Sequence, residues 1–260
     1  MSKLFFNYRL LAILLPLILF GVGRAQEFRI ESQVYQQGNN LPVAENVTLF
    51  SDGNIYHFDL ANDNRQKGGE VVSQITIYDA SKKTMVVLDP ARKVRLDLLD
   101  LRIMKILDGV RRDTQQDNRS SFLVTDKFEE DADWSTGWVR LSSPTITYQF
   151  QADTPKDITI LPQYIKYIDL FTQLIASDPH KVPPFPRLRL NQTIKKLGRI
   201  PTEVHVTLRP NPLFPDGAKA HSKHTVFYQL SKKDKERVES AKNQWMTYQP
   251  VDLAEFHGLP

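Results

Sequence analysis

Alternating apolar and polar residues over most of the chain are the strongest constraint on its fold. Between residues 27 and 97, short apolar-alternating runs follow one another, separated by turn signals such as Ser51-Asp52-Gly53-Asn54. The same alternation returns near the end, where Val204, Val206 and Leu208 are interleaved with polar residues. A period of two with one polar face is typical of antiparallel strands that are solvated on one side.

Helical periodicity interrupts the strands in three places and follows them once. Apolar stripes run from Leu99 to Val110 and from Leu161 to Ile175, and a shorter helix is expected from about Leu188 to Leu197. Ser231-x-x-Asp234 resembles a capping box that opens a last helix. The expected fold is therefore α+β, with a curved, mostly antiparallel, half-barrel-like sheet and three to four helices packed on one side.

Residues 1–25 have the pattern of a secretory signal peptide. Lys3 and Arg9 precede an uncharged run of 14 residues from Leu10 to Gly23, and small residues at Gly23 and Ala25 suit cleavage after Ala25. The run is shorter than a membrane span, so no transmembrane segment is expected after cleavage. We therefore expect one domain over 26–260, exported to the periplasm or the exterior of a bacterium.

Charge and cysteine content narrow the function classes. Removing the three basic residues of the leader from the 34 Lys and Arg leaves 31, against 30 acidic residues. A mature net charge of +1 does not favour nucleic acid as a partner. The chain has no cysteine, which excludes disulfides, Cys-ligated metals and a thiol nucleophile.

Common catalytic, cofactor and metal motifs are missing. The chain contains no Gly-x-Ser-x-Gly, no Walker A sequence and no His-Glu-x-x-His, so we predict no cofactor, no metal and no catalytic residue. His221 and His224 would point to opposite faces of a strand and are interpreted as solvated. His57 and His205 are likewise interpreted as surface histidines.

An acidic run lies beside two tryptophans. Its members are Glu129, Glu130, Asp131 and Asp133, close to Trp134 and Trp138. The simpler interpretation is a solvated loop, since charge runs usually face water. The alternative is a hydrolase that uses these carboxylates.

Aromatic residues on the strands are the candidate ligand-binding set. They are expected to line the concave face of the sheet, either as core or as the wall of an apolar site: Tyr56, Phe58, Tyr78, Tyr148 and Phe150.

Three stretches carry a resemblance to a known family. They are FRIESQVYQQGNNLPVAENVTLFSDGNIYHF, ITIYDASKKTMVVLDPARKV and RLRLNQTIKKLGRIPTEVHVTL. With the final helix, they resemble an uncharacterised secreted-protein family of planctomycete-type bacteria, which implies no particular activity.

The order of strands and helices is also distantly similar to the LolA/LolB-like lipoprotein-carrier fold, although the mature chain begins with a strand rather than a helix. That resemblance implies an apolar cavity between a curved sheet and its helices.

Two functions therefore stand first. One is a non-enzymatic envelope protein that binds a lipid or other apolar ligand. The other is a structural or interaction module with an envelope protein as its partner. The carboxylate-dependent hydrolase ranks third.

Overall fold

One twelve-stranded sheet runs through the described part of the chain, residues 26–61, 71–133 and 135–259 of the computed structural model. Residues 1–25, which include the predicted leader, residues 62–70, Trp134 and Pro260 lie outside the described residues. The strands are β1 Phe28–Gln36, β2 Ala44–Ser51, β3 Asn54–Ala61, β4 Val71–Asp79, β5 Thr84–Asp89, β6 Val94–Leu99, β7 Glu129–Asp133, β8 Trp138–Ser142, β9 Ile146–Asp153, β10 Ile200–Leu208, β11 Ala218–Phe227 and β12 Gln249–Pro250.

The sheet is curved, open and almost wholly antiparallel. Its strand order is β12-β6-β5-β4-β3-β2-β1-β11-β10-β9-β8-β7, and only the short β12 pairs in parallel, with β6. The prediction of a curved, mostly antiparallel sheet is confirmed at this level. Strand β1 lies near the middle because its two sides pair with β2 and β11, so the chain's last long strand joins its first.

Six α-helices occur in the described residues, which is more than the three to four predicted. They are α1 Asp100–Gln116, α2 Phe122–Thr125, α3 Leu161–Leu174, α4 Phe185–Leu197, α5 Lys232–Thr247 and α6 Leu253–His257. Asp252 caps the short helix α6 by accepting a hydrogen bond from the Glu255 amide. None of these helices is long and apolar enough to cross a membrane.

The face of the sheet that we call the inner face carries the larger core. Its buried side chains include Phe28, Phe50 and Phe150, and they form one cluster with side chains from helices α1, α3, α4 and α6. The rings of Phe28 and Phe50 stack with their centroids 3.8 Å apart. Strand alternation therefore directs one set of side chains to a common, helix-covered layer.

The opposite face, the outer face, is covered by helix α5 over strands β2 to β5. Val238 and Ala241 of α5 are buried in a second cluster, with Trp245 packed against it. The expectation that all helices pack on one side is wrong, because β2 to β5 are apolar on both faces and need a cover on each.

A buried ion pair fixes the start of α5 to the sheet. Ser231 and Asp234 form the predicted capping box, with each side chain accepting a hydrogen bond from the other residue's backbone amide. The Asp234 carboxylate is only 1% exposed and also accepts hydrogen bonds from Arg29 on β1, at 3.1 and 3.2 Å. Arg29 in turn contacts the more exposed Glu31 at 2.6 Å. Helix α5 is therefore anchored to the sheet at its first turn.

The acidic run predicted as a loop is the edge strand β7. It pairs with β8 on one side only, and Glu130 contacts Lys196 of α4 at 3.1 Å. Asp133 accepts hydrogen bonds from the side chains of Ser135 and Thr136 in the turn that follows. These two carboxylates therefore have structural partners.

Candidate functional site

A cavity of about 380 Å³ lies between the inner face of the sheet and helix α3 with the segment that follows it. Strands β1, β3 to β6 and β11 form its floor, and α3, the first turn of α4 and helix α6 complete its walls. Its volume falls in the range of ordinary small-molecule sites. It is the candidate site of this protein.

Two rows of side chains cross the floor, as the strand register requires. One row contains, in strand order, Ile30, Thr48, His57, Thr76, Val87 and Leu96. The neighbouring row contains His224, Ser32, Asn46, Asp59 and Gln74. Apart from Ile30 on β1, the floor is therefore polar from β11 to β4, and it is apolar at β5 and β6.

The middle of the floor is tied to helix α3 by a hydrogen-bonded group of three side chains. Thr48 Oγ1 lies 2.8 Å from His57 Nδ1, and the Tyr167 hydroxyl lies 3.1 Å from Thr48 Oγ1 and 3.3 Å from His57 Nδ1. Burial raises the pKa of Tyr167 to about 12, so its hydroxyl stays protonated and can donate. The group holds α3 at a fixed height above the sheet.

Beside this group, His57 also engages Asp59 on the same strand. The distance from His57 Nε2 to Asp59 Oδ1 is 3.2 Å. Burial alone would raise the pKa of Asp59, but the hydrogen bond and charge of His57, with the charge of Lys181, hold that pKa below its ordinary value. The carboxylate of Asp59 is therefore ionised and has the cation Lys181 nearby.

His224 occupies the β11 end of the cavity between two serines. Its Nδ1 lies 2.8 Å from Ser32 Oγ and its Nε2 lies 2.9 Å from Ser222 Oγ. Burial, reinforced by the positive charge of Arg187, lowers the pKa of His224 to about 4. The ring is thus neutral at pH 7, when one nitrogen donates and the other accepts.

Arg187 lies in the first turn of α4 and lines the same end of the cavity. Burial raises the pKa of Tyr148, Tyr164 and Tyr167, and the guanidinium of Arg187 opposes that rise in each of them. Its charge thus acts on the buried hydroxyls around the β11 end. Within the described residues, Arg187 makes no hydrogen bond or ion pair.

The floor of the cavity is apolar at its β6 end, whereas the wall there carries His257 and Asp178. Val87 and Leu96 of the floor lie there with Phe256 of α6. Nε2 of His257 is buried without a hydrogen-bond partner in the described structure, while its Nδ1 lies 3.8 Å from Asp178. Burial lowers the pKa of His257, although Asp178 opposes the shift.

The cavity is long for its volume. Its floor extends from β11 to β6, six inter-strand spacings apart, which is about 29 Å measured along the curve of the sheet. A volume of about 380 Å³ spread over that length is narrow. Its shape suits one extended chain rather than a compact molecule.

The structure separates the five aromatic residues predicted to bind a ligand. Tyr78, Tyr148 and Phe150 lie in the inner core, whereas Tyr56 and Phe58 lie in the outer core beneath α5. The expectation that all five share the concave face is therefore wrong for Tyr56 and Phe58. None of the five lines the cavity, and ligand binding by any of them stays a prediction.

The histidines show what the sequence reasoning missed. His221 and His224 do point to opposite faces: His221 stacks on Tyr35, with centroids 4.7 Å apart, while His224 lines the cavity. The prediction that His224 and His57 are solvated is wrong, and His57 is only 12% exposed. The available signal was that His57 shares its strand face with Ile55, which is an apolar core residue.

The remaining predicted site is the acidic run. Trp138 and the carboxylates of β7 lie at the far edge of the sheet, and none of them lines the cavity. Among the described residues, no three His, Asp or Glu side chains are arranged to hold a metal ion.

Comparisons with known proteins identify no family. No protein-family model matches the chain. No curated protein matches it either. Function is therefore argued from the cavity.

Proposed function

We propose that this protein is an exported, non-enzymatic binding protein of the bacterial envelope that holds one single-chain amphiphile in the cavity. The observation that supports the proposal is an elongated cavity whose floor is mostly polar toward β11 and apolar at β5 and β6. Such a site accepts a molecule with a polar head and an extended apolar chain. The ligand proposed here has a polar head, whereas the sequence led us to expect a lipid or other apolar ligand.

Polarity along the floor supports this orientation of the ligand. His224 and Ser32 at one end offer hydrogen bonds, while Val87 and Leu96 at the other end bury apolar surface. Apolar burial supplies about 0.8 kcal/mol per methylene group, so a chain contributes affinity in proportion to the length it buries. The polar head then fixes the direction of entry.

The architecture also fits a carrier. An open, curved sheet with helices over its inner face is what the LolA/LolB-like resemblance implies, and a half-barrel-like arrangement would leave the cavity accessible at an end. The bridge between Tyr167, Thr48 and His57 holds α3 as a cover over the ligand. Export by the leader would place such a carrier among envelope lipids.

Mass spectrometry of organic extracts tests this proposal. The protein is exported from its full-length precursor, purified without detergent and extracted. Stoichiometric single-chain lipid would support the proposal. Protein without lipid that also fails to bind added hexadecanol and hexadecanoic acid would overturn it and favour the interaction module.

Two variants on helix α3 test whether the ligand binds in this cavity. Leu174→Trp should fill the apolar part of the cavity and reduce bound lipid at least tenfold, because Leu174 lines the cavity. Gln173→Trp is the matched control, since Gln173 lies on the same helix outside the lining. Equal lipid in both variants would contradict binding at this site.

A further inference from the structure

We infer that the ligand is a fatty acid and that Arg187 binds its carboxylate at the β11 end of the cavity. This inference rests on the proposed function and specifies its ligand class.

The first argument is that Arg187 has no counter-ion beside it, although the cavity lining also contains carboxylates. The two lining carboxylates are placed elsewhere: Asp59 has Lys181 nearby, and Asp178 lies 3.8 Å from His257. Arg187 makes no ion pair in the described structure. A partly buried cation without a counter-ion in contact is unfavourable, so the Arg187 end of the cavity favours a negatively charged group.

The second argument is the position of Arg187 in its helix. Helix α4 has 13 residues, its N-cap is Pro184 without a side-chain cap, and its first turn contains no acidic residue. The helix dipole makes this end positive, and a cation in the first turn adds to it. An anion beside Arg187 would therefore gain from both the guanidinium and the helix terminus.

The third argument is a neighbouring hydrogen-bond donor. Tyr164 lines the cavity, and its hydroxyl makes no hydrogen bond within the described residues. Burial raises the pKa of Tyr164 while the charge of Arg187 opposes the rise, so the hydroxyl is protonated and the two groups are electrostatically coupled. Arg187 and Tyr164 both line the cavity, so each can donate to an anionic ligand there.

The charge count and the shape together select a carboxylate on a single chain. A phosphate monoester carries about −1.5 to −2 charges at pH 7, which one arginine does not balance. His224 is neutral and cannot supply the second charge. A carboxylate carries one charge and matches the planar guanidinium in a bidentate pair.

Binding of hexadecanoic acid and of hexadecanol at pH 8 tests the inference, because the two probes share a chain and differ in charge. The wild-type protein should bind the acid about 10- to 100-fold more tightly than the alcohol, the range expected for a charge-assisted hydrogen bond. Arg187→Gln should remove that preference and leave the affinity for the alcohol unchanged. Arg189→Gln, on the exposed side of the same helix, should leave both affinities unchanged.

The outcomes separate this inference from the proposed function. Binding of the alcohol as tightly as the acid would overturn the inference and leave the proposed function standing. Binding of neither probe by lipid-free protein would overturn both. Tighter binding of hexadecyl phosphate than of the acid would overturn the choice of carboxylate.

The melting temperature of the ligand-free variant shows whether Arg187 is needed for folding. Arg187→Gln removes a cation without a partner, so the ligand-free variant should melt no lower than the wild-type protein. A lower melting temperature, with affinity for both probes reduced equally, would show that Arg187 is structural and would overturn the inference.

Discussion

The buried carboxylate of Asp234 allows a direct test of how helix α5 is fastened to the outer face. Asp234→Asn keeps the shape of the side chain but removes its charge. The change breaks the ion pair with Arg29 and replaces a carboxylate that accepts hydrogen bonds from the amide and hydroxyl of Ser231. Arg29 keeps its contact with Glu31 at 2.6 Å.

The expected loss follows from burial. Breaking a buried ion pair by removing one partner costs about 3 to 5 kcal/mol. Because Arg29 retains Glu31 and the amide oxygen of asparagine can still accept from Ser231, we expect the lower end, about 3 kcal/mol. At this size of domain the melting temperature should then fall by about 6 to 12 °C.

Urea unfolding and thermal melts at pH 7 measure the loss. Glu31→Gln is the matched control, because it removes the more exposed partner of the same arginine and should cost less than about 1 kcal/mol. A loss below about 1 kcal/mol for Asp234→Asn would refute the argument that this ion pair anchors α5.

The same variant has a defined pH dependence. Burial alone would raise the pKa of Asp234, but Ser231 and Arg29 outweigh it and hold that pKa below 3.8. A lowered folded-state pKa gives stability that is present above the unfolded pKa and is lost as the pH falls through the folded pKa. The stability difference between the two proteins should therefore be full at pH 7 and shrink below about pH 4.

Two further predictions concern other positions. Tyr167→Phe removes the hydroxyl that bridges to Thr48 and His57. It should lower the free energy of unfolding, measured in urea, by about 0.5 to 1.5 kcal/mol. An unchanged free energy of unfolding would mean that these hydrogen bonds do not hold α3 on the sheet. Gly217→Ala should lower the free energy of unfolding by about 1 to 3 kcal/mol. The reason is that Gly217 has φ +67° and an added Cβ would lie 2.6 Å from the Leu208 carbonyl oxygen. An alanine variant as stable as the wild-type protein would show that the turn adjusts to the added Cβ.

The strands and the capping box could be predicted because they depend on local pattern. The alternation around Val204 predicts a strand that is present as β10, and Ser231 with Asp234 opens α5 as expected. Both signals are carried by neighbouring residues and need no knowledge of what packs against them.

The placement of α5 could not be predicted from alternation, although a signal for it exists. Continuous buried runs at Val47–Ser51 in β2, at Ile75–Asp79 in β4 and at Met85–Leu88 in β5 indicate strands covered on both faces. The sequence analysis assumed that these strands are buried on one face only. All helices were therefore expected on one side of the sheet, and Tyr56 was expected on the concave face.

The cavity could not be predicted from the sequence. Alternation of apolar and polar residues assigns side chains to the two faces of a strand, but it does not show which face is exposed to solvent. His57 was interpreted as a surface histidine, yet it lies on the helix-covered face in one row with Thr48 and Thr76. These polar groups can be buried because they have hydrogen-bond partners. One such partner, Tyr167, lies more than 100 residues away in the chain.

The composition of strand β7 has a consequence for how copies of this protein meet. An open sheet ends in a strand whose free amide and carbonyl groups can pair with another chain. Four of the five residues of β7 are acidic, so two copies pairing through this strand would bring eight carboxylates together. Their mutual repulsion would discourage edge-to-edge polymerisation of the sheet at high protein concentration.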